Sequence, residues 1–261
     1  MIRKVIKKIN RELKKTYARL LSQIMKNRLP CYCPCCDTYL KGFVEGGYKT
    51  RPDCYNPSRY EHIRQDVLCP VCGALPRHRI LALWCDSHRE ELQKAKVLYF
   101  APEVGMSLWM KRNGVACTTA DLEADADLKI DIQETGLPDQ SFDIIFCNHV
   151  LEHVDDFRAA LKEIRRIMTP KGSFICSFPM DPKVSLLSED PGVQTVEKRV
   201  ACYGQFDHKR VFGMEADQLL IDAGFSVEKI TGDACPEKIL PVVGPADYDI
   251  NILFCCTIPS A

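Results

Sequence analysis

Two C-x2-C pairs, Cys33-Pro34-Cys35-Cys36 and Cys69-Pro70-Val71-Cys72, stand ahead of a long run of alternating strand-like and helix-like segments. A tight turn with two thiolates two residues apart aims both sulfurs at one ion. Two such turns supply the four ligands of a tetrahedral zinc site. Pro34 and Gly73 suit the sharp turns this needs. The 32 residues between Cys36 and Cys69 exceed the usual ribbon spacing and imply an inserted loop. Cys33, Cys36, Cys69 and Cys72 are the expected zinc ligands, because one register then serves both pairs, with Cys31 as the substitute in the first. The competing reading is a set of reduced, buried thiols.

At 261 residues the chain has room for one large domain and a small one. Its formal net charge of zero gives no global attraction to nucleic acid. Fifteen cysteines, an odd count with no apolar signal segment at the start, fit a reducing, cytoplasmic setting. Cys117, Cys147, Cys176, Cys255 and Cys256 sit inside apolar runs, where a thiol acts as a small hydrophobe. No apolar run reaches the ~20 residues of a membrane helix.

Residues 1–28 form a unit of their own. Ile2, Val5, Ile6, Ile9, Leu13, Leu20, Leu21 and Ile24 recur at three- and four-residue spacing, which predicts an amphipathic helix that Pro30 ends. Ten Lys or Arg against Glu12 alone give it nine positive charges, so the remainder carries nine negative ones. Such a helix packs on its own domain or a second subunit, lies on an anionic membrane surface as a peripheral contact, or grips phosphates.

Residues 29–92 read as the zinc module and a connecting helix over Ile80–Leu92, entered through Arg77-His78-Arg79. Residues 93–261 alternate. Strands are expected at Val97–Ala101, Ala116–Leu122, Phe142–Cys147, Gly172–Phe178, Phe225–Thr231 and Ile252–Ile258, and helices at Ser107–Asn113, Phe157–Met168 and Met214–Ala223. Alternation of this kind gives parallel pairing and a doubly wound α/β sheet. Ligands then bind beyond the carboxyl ends of the central strands, where the order reverses. Polar residues gather there: Glu103 and Gly105 after the first strand, Asp121 twenty residues beyond Ala101, then Asp131, and Asn148-His149.

Taken together, VLYFAPEVG, TTADLEADADLKIDI, GLPDQSFDIIFCNHVLEHV, ALKEIRRIMTPKGSFICSFP and QLLIDAGF resemble the class I S-adenosylmethionine-dependent methyltransferases over roughly residues 95–258. CPVCG-x3-RHR resembles a bacterial subgroup with a zinc ribbon ahead of that domain. The resemblance implies a Rossmann-like, mostly parallel seven-stranded sheet. It puts the methionine portion of S-adenosylmethionine over Ala101, Glu103 and Gly105, the ribose on Asp121 beside Leu122, and the adenine between Asp131 and Ile132. Asn148 and His149 then border the methyl group. The usual first motif carries three glycines; here Ala101 and Glu103 take two of those places.

His149-Val150-Leu151-Glu152-His153 has a further reading. Residues three and four apart share a helix face and reach one ion, and His208 lies in a late polar stretch that commonly borders the acceptor. The set His149, Glu152, His153 and His208 resembles metal-dependent O-methyltransferases, in which a divalent cation grips the acceptor. The alternatives are that these residues cap and pack, or that His149 or His208 is a metal-free catalytic base.

The expected activity is methyl transfer to an oxygen or nitrogen of a small polar acceptor such as a sugar or nucleotide-sugar, with Arg77, His78 and Arg79 holding an anionic group of it. One alternative is an RNA methyltransferase whose ribbon, through Tyr48, Arg51, Tyr55, Arg59 and Tyr60, contacts nucleic acid. Another is a non-catalytic binding protein that has lost the cofactor along with its glycines.

Overall fold

The structure is a computed structural model and describes residues 2–25, 28–46, 64–123, 125–232, 235–239 and 252–259. Tyr48, Arg51, Tyr55, Arg59 and Tyr60, the aromatic and basic residues of the inserted loop, lie outside these. In chain order the N-terminal part holds α1 (Ile2–Ile24), β1 (Cys31–Cys33), β2 (Thr38–Leu40), β3 (Val44–Gly46), β4 (Arg64–Leu68), α2 (Pro76–Ser87) and α3 (Arg89–Leu92). The body follows with β5 (Val97–Phe100), α4 (Val104–Arg112), β6 (Cys117–Asp121), β7 (Leu128–Lys129), β8 (Phe142–Asn148), α5 (Phe157–Ile167) and β9 (Met168–Ser177). It closes with β10 (Leu187–Ser188), α6 (Val196–Tyr203), β11 (Val211–Phe212), α7 (Asp217–Asp222), β12 (Ser226–Ile230) and β13 (Leu253–Thr257).

Seven strands form one sheet in the order β12-β13-β9-β8-β5-β6-β7. β7, β6, β5, β8 and β9 are parallel neighbours, while β13 and β12 run antiparallel at the other side. This is the mostly parallel Rossmann-like architecture expected. The chain leaves β5 toward β6 and returns through β8 on the opposite side, so the order reverses between β5 and β8, where a ligand cleft belongs.

The apolar runs of the central strands are continuous because both sheet faces are covered. Leu98, Phe100, Ile145, Cys147, Phe174 and Phe254 face one core, closed by Phe157, Leu161 and Ile164 of α5. Val97, Tyr99, Ile144, Phe146 and Ile175 face the other, closed by Met106 and Trp109 of α4 and by Ile80, Leu81 and Trp84 of α2. The second core also takes in Cys33, Cys35, Leu40, Phe43, Cys69 and Val71. Trp84 meets Phe146 edge-on at 6.0 Å between ring centres, and Arg112 of α4 donates to the carbonyls of Cys35 (3.2 Å) and Pro34 (3.0 Å). The boundary at residue 92 therefore marks chain order and not a gap between cores. The cysteine module is the lid of one sheet face, and each fully buried large side chain there contributes about 1.5–3 kcal/mol.

Several boundaries differ from the expectation, three of them for a visible reason. α2 starts at Pro76, a residue suited to the first helical position, four residues before Ile80, so Arg77-His78-Arg79 is its first turn. β9 starts at Met168 instead of Gly172, because Met168 already pairs with Phe142 across an irregularity in β8. α1 ends at Ile24, ahead of Pro30.

Among the described residues α1 is fastened through its C-terminal half. Ser22 Oγ, buried, accepts the Tyr39 N–H at 2.7 Å, and Ala18 packs against the second core. Ile9, Leu13, Tyr17, Leu20 and Ile24, spaced along one stripe, are exposed; the side chains of Ile2, Val5 and Ile6 are not among those described. No helix among the described residues is long and apolar enough to cross a membrane.

Candidate active site and metal centres

β5 ends at Phe100, and the chain turns at Ala101 with φ +48°, its N–H donating to Ala120 O at 2.8 Å. That left-handed conformation is the one a glycine adopts without strain. Ala101 holds it regardless, so the backbone path of the expected first motif survives the loss of its glycine. At Gly105 the lack of a side chain matters for another reason. A Cβ there would sit 3.2 Å from Ala74 Cβ, so its absence lets α4 approach the cysteine module.

Glu103 does not stand alone. Arg77 donates to Glu103 Oε1 from Nη2 at 2.8 Å and from Nε at 3.3 Å, and His78 Nε2 lies 2.5 Å from the same oxygen. His78 Nδ1 accepts the Leu75 N–H at 3.0 Å, so the proton of the neutral ring is on Nε2, facing the carboxylate. Burial pushes Glu103 up, but His78 and Arg77 outweigh it and hold the carboxyl below its usual range. Burial, against the pull of Glu103, holds His78 below the usual histidine range. Glu103 Oε2 is buried with no hydrogen-bond partner.

Arg79 is a correction. It was expected to reach an acceptor, yet its side chain is fully buried. Nε donates to Ile239 O (2.7 Å) and Nη1 to Val67 O (2.7 Å) and Ala74 O (3.1 Å), with the guanidinium over the Phe43 ring. The early start of α2 turns it inward. It fastens the module, while Arg77 and His78 pair with Glu103.

β6 delivers Asp121, whose Oδ1 accepts the Glu123 N–H at 2.8 Å, and Leu122 beside it is exposed. Asp131 Oδ1 accepts the Gln133 N–H at 2.8 Å, and the Gln133 amide reaches both carboxylate oxygens; Ile132 is buried in the first core. At the end of β8, Asn148 is buried with Oδ1 accepting from Ser177 Oγ at 2.8 Å, and its Nδ2 has no partner. His149 then turns with φ +54°. Two orphaned polar atoms, Asn148 Nδ2 and Glu103 Oε2, thus lie beside the ends of the two strands that flank the reversal. This fits a ligand with both polar acceptor and ammonium groups, as S-adenosylmethionine has.

The helix face expected to gather His149, Glu152 and His153 is absent. Residues 149–155 are turns, and α5 starts only at Phe157, capped by Asp156 Oδ1 accepting from Arg158 N (2.9 Å) and Ala159 N (3.1 Å). The turn brings the groups together all the same. His149 Nδ1 lies 3.3 Å and His153 Nε2 3.8 Å from Glu152 Oε1, and ligand atoms of Glu152, His153 and His208 all fall within 4.8 Å of one another. Burial, with no hydrogen bond to either Glu152 oxygen, pushes that carboxyl up to about 7. Burial, then the positive fields of Arg77 and His78, hold His149 well below its ordinary value. Burial and the neighbouring His153 bring His208 down to about 4. For His153 burial is outweighed by Asp207 and Glu152, and its value rises.

Sequence reasoning passed over the supports of this cluster. Arg210 is buried and donates to Leu151 O, Val154 O and Asp155 O at 2.6–2.8 Å and to Glu189 Oε1 at 2.7 Å, pinning the turn. Asp207 holds His153, and the Tyr203 carbonyl holds His208. The only hint was the Asp207-His208-Lys209-Arg210 run itself.

In the cysteine module Cys33 and Cys72 bring their sulfurs to 3.7 Å, Cys36 and Cys69 to 3.8 Å, with all four within 4.8 Å. A tetrahedral zinc with bonds of ~2.3 Å separates its sulfurs by about 3.8 Å. Hydrogen bonds from the other three pull the Cys69 thiol below its usual range. Cys31, the substitute, is outside this group. The four sulfurs fit one structural zinc.

Residues 99–176, from β5 to β9, match the family described as methyltransferase domain. The chain is thus a methyltransferase enzyme, and the match supports S-adenosylmethionine-dependent methyl transfer. No curated protein matches the chain. Among solved structures it is similar to the YcgJ protein of Bacillus subtilis (16% identity over 70% of this chain and 100% of that one, TM-score 0.46). It is also similar to S-adenosylmethionine-dependent methyltransferases of Archaeoglobus fulgidus (16%, 69% and 93%, TM-score 0.44) and Mesorhizobium loti (15%, 68% and 96%, TM-score 0.46).

Proposed function

We propose that the chain methylates an oxygen, or a nitrogen, of a small polar acceptor, a sugar or nucleotide-sugar among the candidates. The observation that carries this reading is the meeting of two groups at one edge of the sheet. Ala101, Glu103, Asp121 and Asn148 lie on the donor side, and a buried set of imidazoles with Glu152 lies directly after Asn148. Bound S-adenosylmethionine supplies an electrophilic methyl group on a sulfonium. Asp121 would accept hydrogen bonds from ribose hydroxyls, and Asp131 and Ile132 would border the adenine. Glu103, kept ionised by Arg77 and His78, would face the ammonium group, with Asn148 Nδ2 donating nearby. His149, kept neutral mainly by burial, offers an imidazole directly after Asn148 that would take the acceptor's proton. Arg77, half-buried at the rim, would favour an acceptor with an anionic group.

Calorimetry of the purified chain with S-adenosylmethionine, followed by mass spectrometry of a metabolite extract for products one methyl heavier, tests the reading. Absence of cofactor binding would leave the non-catalytic alternative. Retention of RNA that falls steeply with salt would favour the RNA methyltransferase.

A further inference from the structure

We infer that α1 is an interfacial anchor: it lies flat on an anionic lipid surface, its apolar stripe at the acyl boundary and its basic residues among the headgroups. The inference stands apart from the proposed acceptor and concerns where the chain is held.

The stripe is the first observation. Ile9, Leu13, Tyr17, Leu20 and Ile24 are each 52–74% exposed. They follow one another at spacings of four, four, three and four. At 3.6 residues per turn they fall within about 80° of arc. Single exposed apolar residues are ordinary, but five along one helix face make a contiguous patch.

The second observation is where the helix is tied. Ser22, through Tyr39, and Ala18 meet the body, with Lys15, Leu21 and Met25 half-buried beside them. The middle of that face lies about 140° round the helix from the middle of the stripe. A surface helix usually turns its apolar side to its own core. α1 is attached by another side, and its five large apolar residues are turned away from the attachment.

Charge chooses the occupant. Residues 1–28 carry ten Lys or Arg and a single acid, Glu12, which Lys15 meets at 3.0 Å and Arg11 at 3.8 Å. Lys14 on one flank of the stripe, and Lys8 and Arg19 on the other, are exposed. With the stripe against acyl chains, these flanks stand at headgroup level, within reach of lipid phosphates. A second copy docked stripe to stripe would bring together two helices with nine net positive charges each. Nucleic acid would take the basic side and leave the stripe in water. An anionic bilayer meets both demands, because apolar burial and attraction to phosphate add.

The test sediments the full chain with vesicles of phosphatidylcholine, alone or mixed with phosphatidylglycerol. Binding should rise steeply with the phosphatidylglycerol fraction and fall at least about 10-fold from low to high salt. Inorganic phosphate matched to the lipid phosphate should not displace the chain, since it offers nothing to the stripe. Leu13→Ser with Leu20→Ser should weaken vesicle binding by at least about 100-fold. Lys8→Gln with Arg19→Gln should weaken it by roughly 25-fold, about 5-fold for each basic residue near the surface. All four positions are exposed, so both variants should keep the parent's thermal transition. A parent chain that stays in the supernatant, equal binding to phosphatidylcholine alone, or undiminished binding by the leucine variant would each overturn the inference. Sedimentation velocity without lipid covers the next occupant: a parent dimer that the leucine variant dissolves would give the stripe to a second copy instead. RNA retention lost in the Lys8–Arg19 variant and kept in the leucine variant, with no vesicle binding by the parent, would give the basic face to nucleic acid.

Discussion

The cysteine centre and the cluster around Glu152 gather ion-binding atoms in different ways. Four sulfurs of one kind come from two local turns, meet at tetrahedral spacing and leave no room for a fifth ligand. The Glu152 cluster mixes nitrogen with oxygen, joins a turn after β8 to a segment more than fifty residues later, and depends on Asp207, the Tyr203 carbonyl and Arg210 for its shape. The first arrangement suits a fastening and the second suits chemistry. They also sit differently in the body. The cysteines belong to the core under one sheet face, whereas the histidines stand at the sheet's carboxyl edge.

The largest effect should come from Cys69→Ser. Structural zinc in small modules contributes on the order of 10 kcal/mol to folding, comparable with the whole stability of a typical domain. The module and the sheet share a core, so zinc content and the body's cooperative thermal transition should vanish together. A variant in which residues 31–75 are disordered while the body melts normally would show two independent units after all.

A matched pair follows. Arg79→Ala and Arg210→Ala each strand several buried carbonyls, and each should cost about 2–4 kcal/mol in chemical denaturation. Only the first should release zinc, because only Arg79 is tied to the cysteine module. If Arg210→Ala also released zinc, the two regions would not be separate.

Asp121→Ala should weaken S-adenosylmethionine by roughly 1.5–3 kcal/mol, the loss of hydrogen bonds to a charged group, and leave zinc in place. Unchanged calorimetric affinity would mean that Asp121 is not on the ribose. The smallest change concerns stability in α1. Leu13→Ser with Leu20→Ser should alter folding by no more than about 0.5 kcal/mol, since both side chains are exposed. The same pair should abolish co-sedimentation with vesicles rich in anionic lipid if the basic helix meets a membrane. A parent chain that ignores such vesicles would end that reading.

The sequence made the cysteine ligands legible because a turn of four residues sets the geometry, and Cys33, Cys36, Cys69 and Cys72 meet as their spacing implies. The central strands and the residues at their ends were legible for a similar reason: buried parallel strands are uninterrupted apolar runs, and their ends are where polarity starts. Arg79 was not, because three residues of one charge pattern look alike until the first turn of α2 rotates one inward and leaves its neighbours outside. The Glu152 turn was reached by an incorrect route. Spacing of three and four implied a helix, but the left-handed His149 and the Asp156 cap delay the helix to Phe157, and the side chains converge through a turn. Asp207 and Arg210 act across the fold, and nothing local to either marks the partner.

The shared core bears on how a shorter form of this protein would behave. A fragment cut at residue 93 would keep all seven strands, yet Tyr99, Phe146 and Ile175 would lose α2, Phe43 and the cysteine turns that now cover their face. The part of that face that α4 does not cover would present a greasy patch to solvent, and such patches drive self-association. Light scattering of the fragment should report aggregates, and co-expression of residues 1–92 as a separate chain should restore a monodisperse particle by supplying the missing lid in trans.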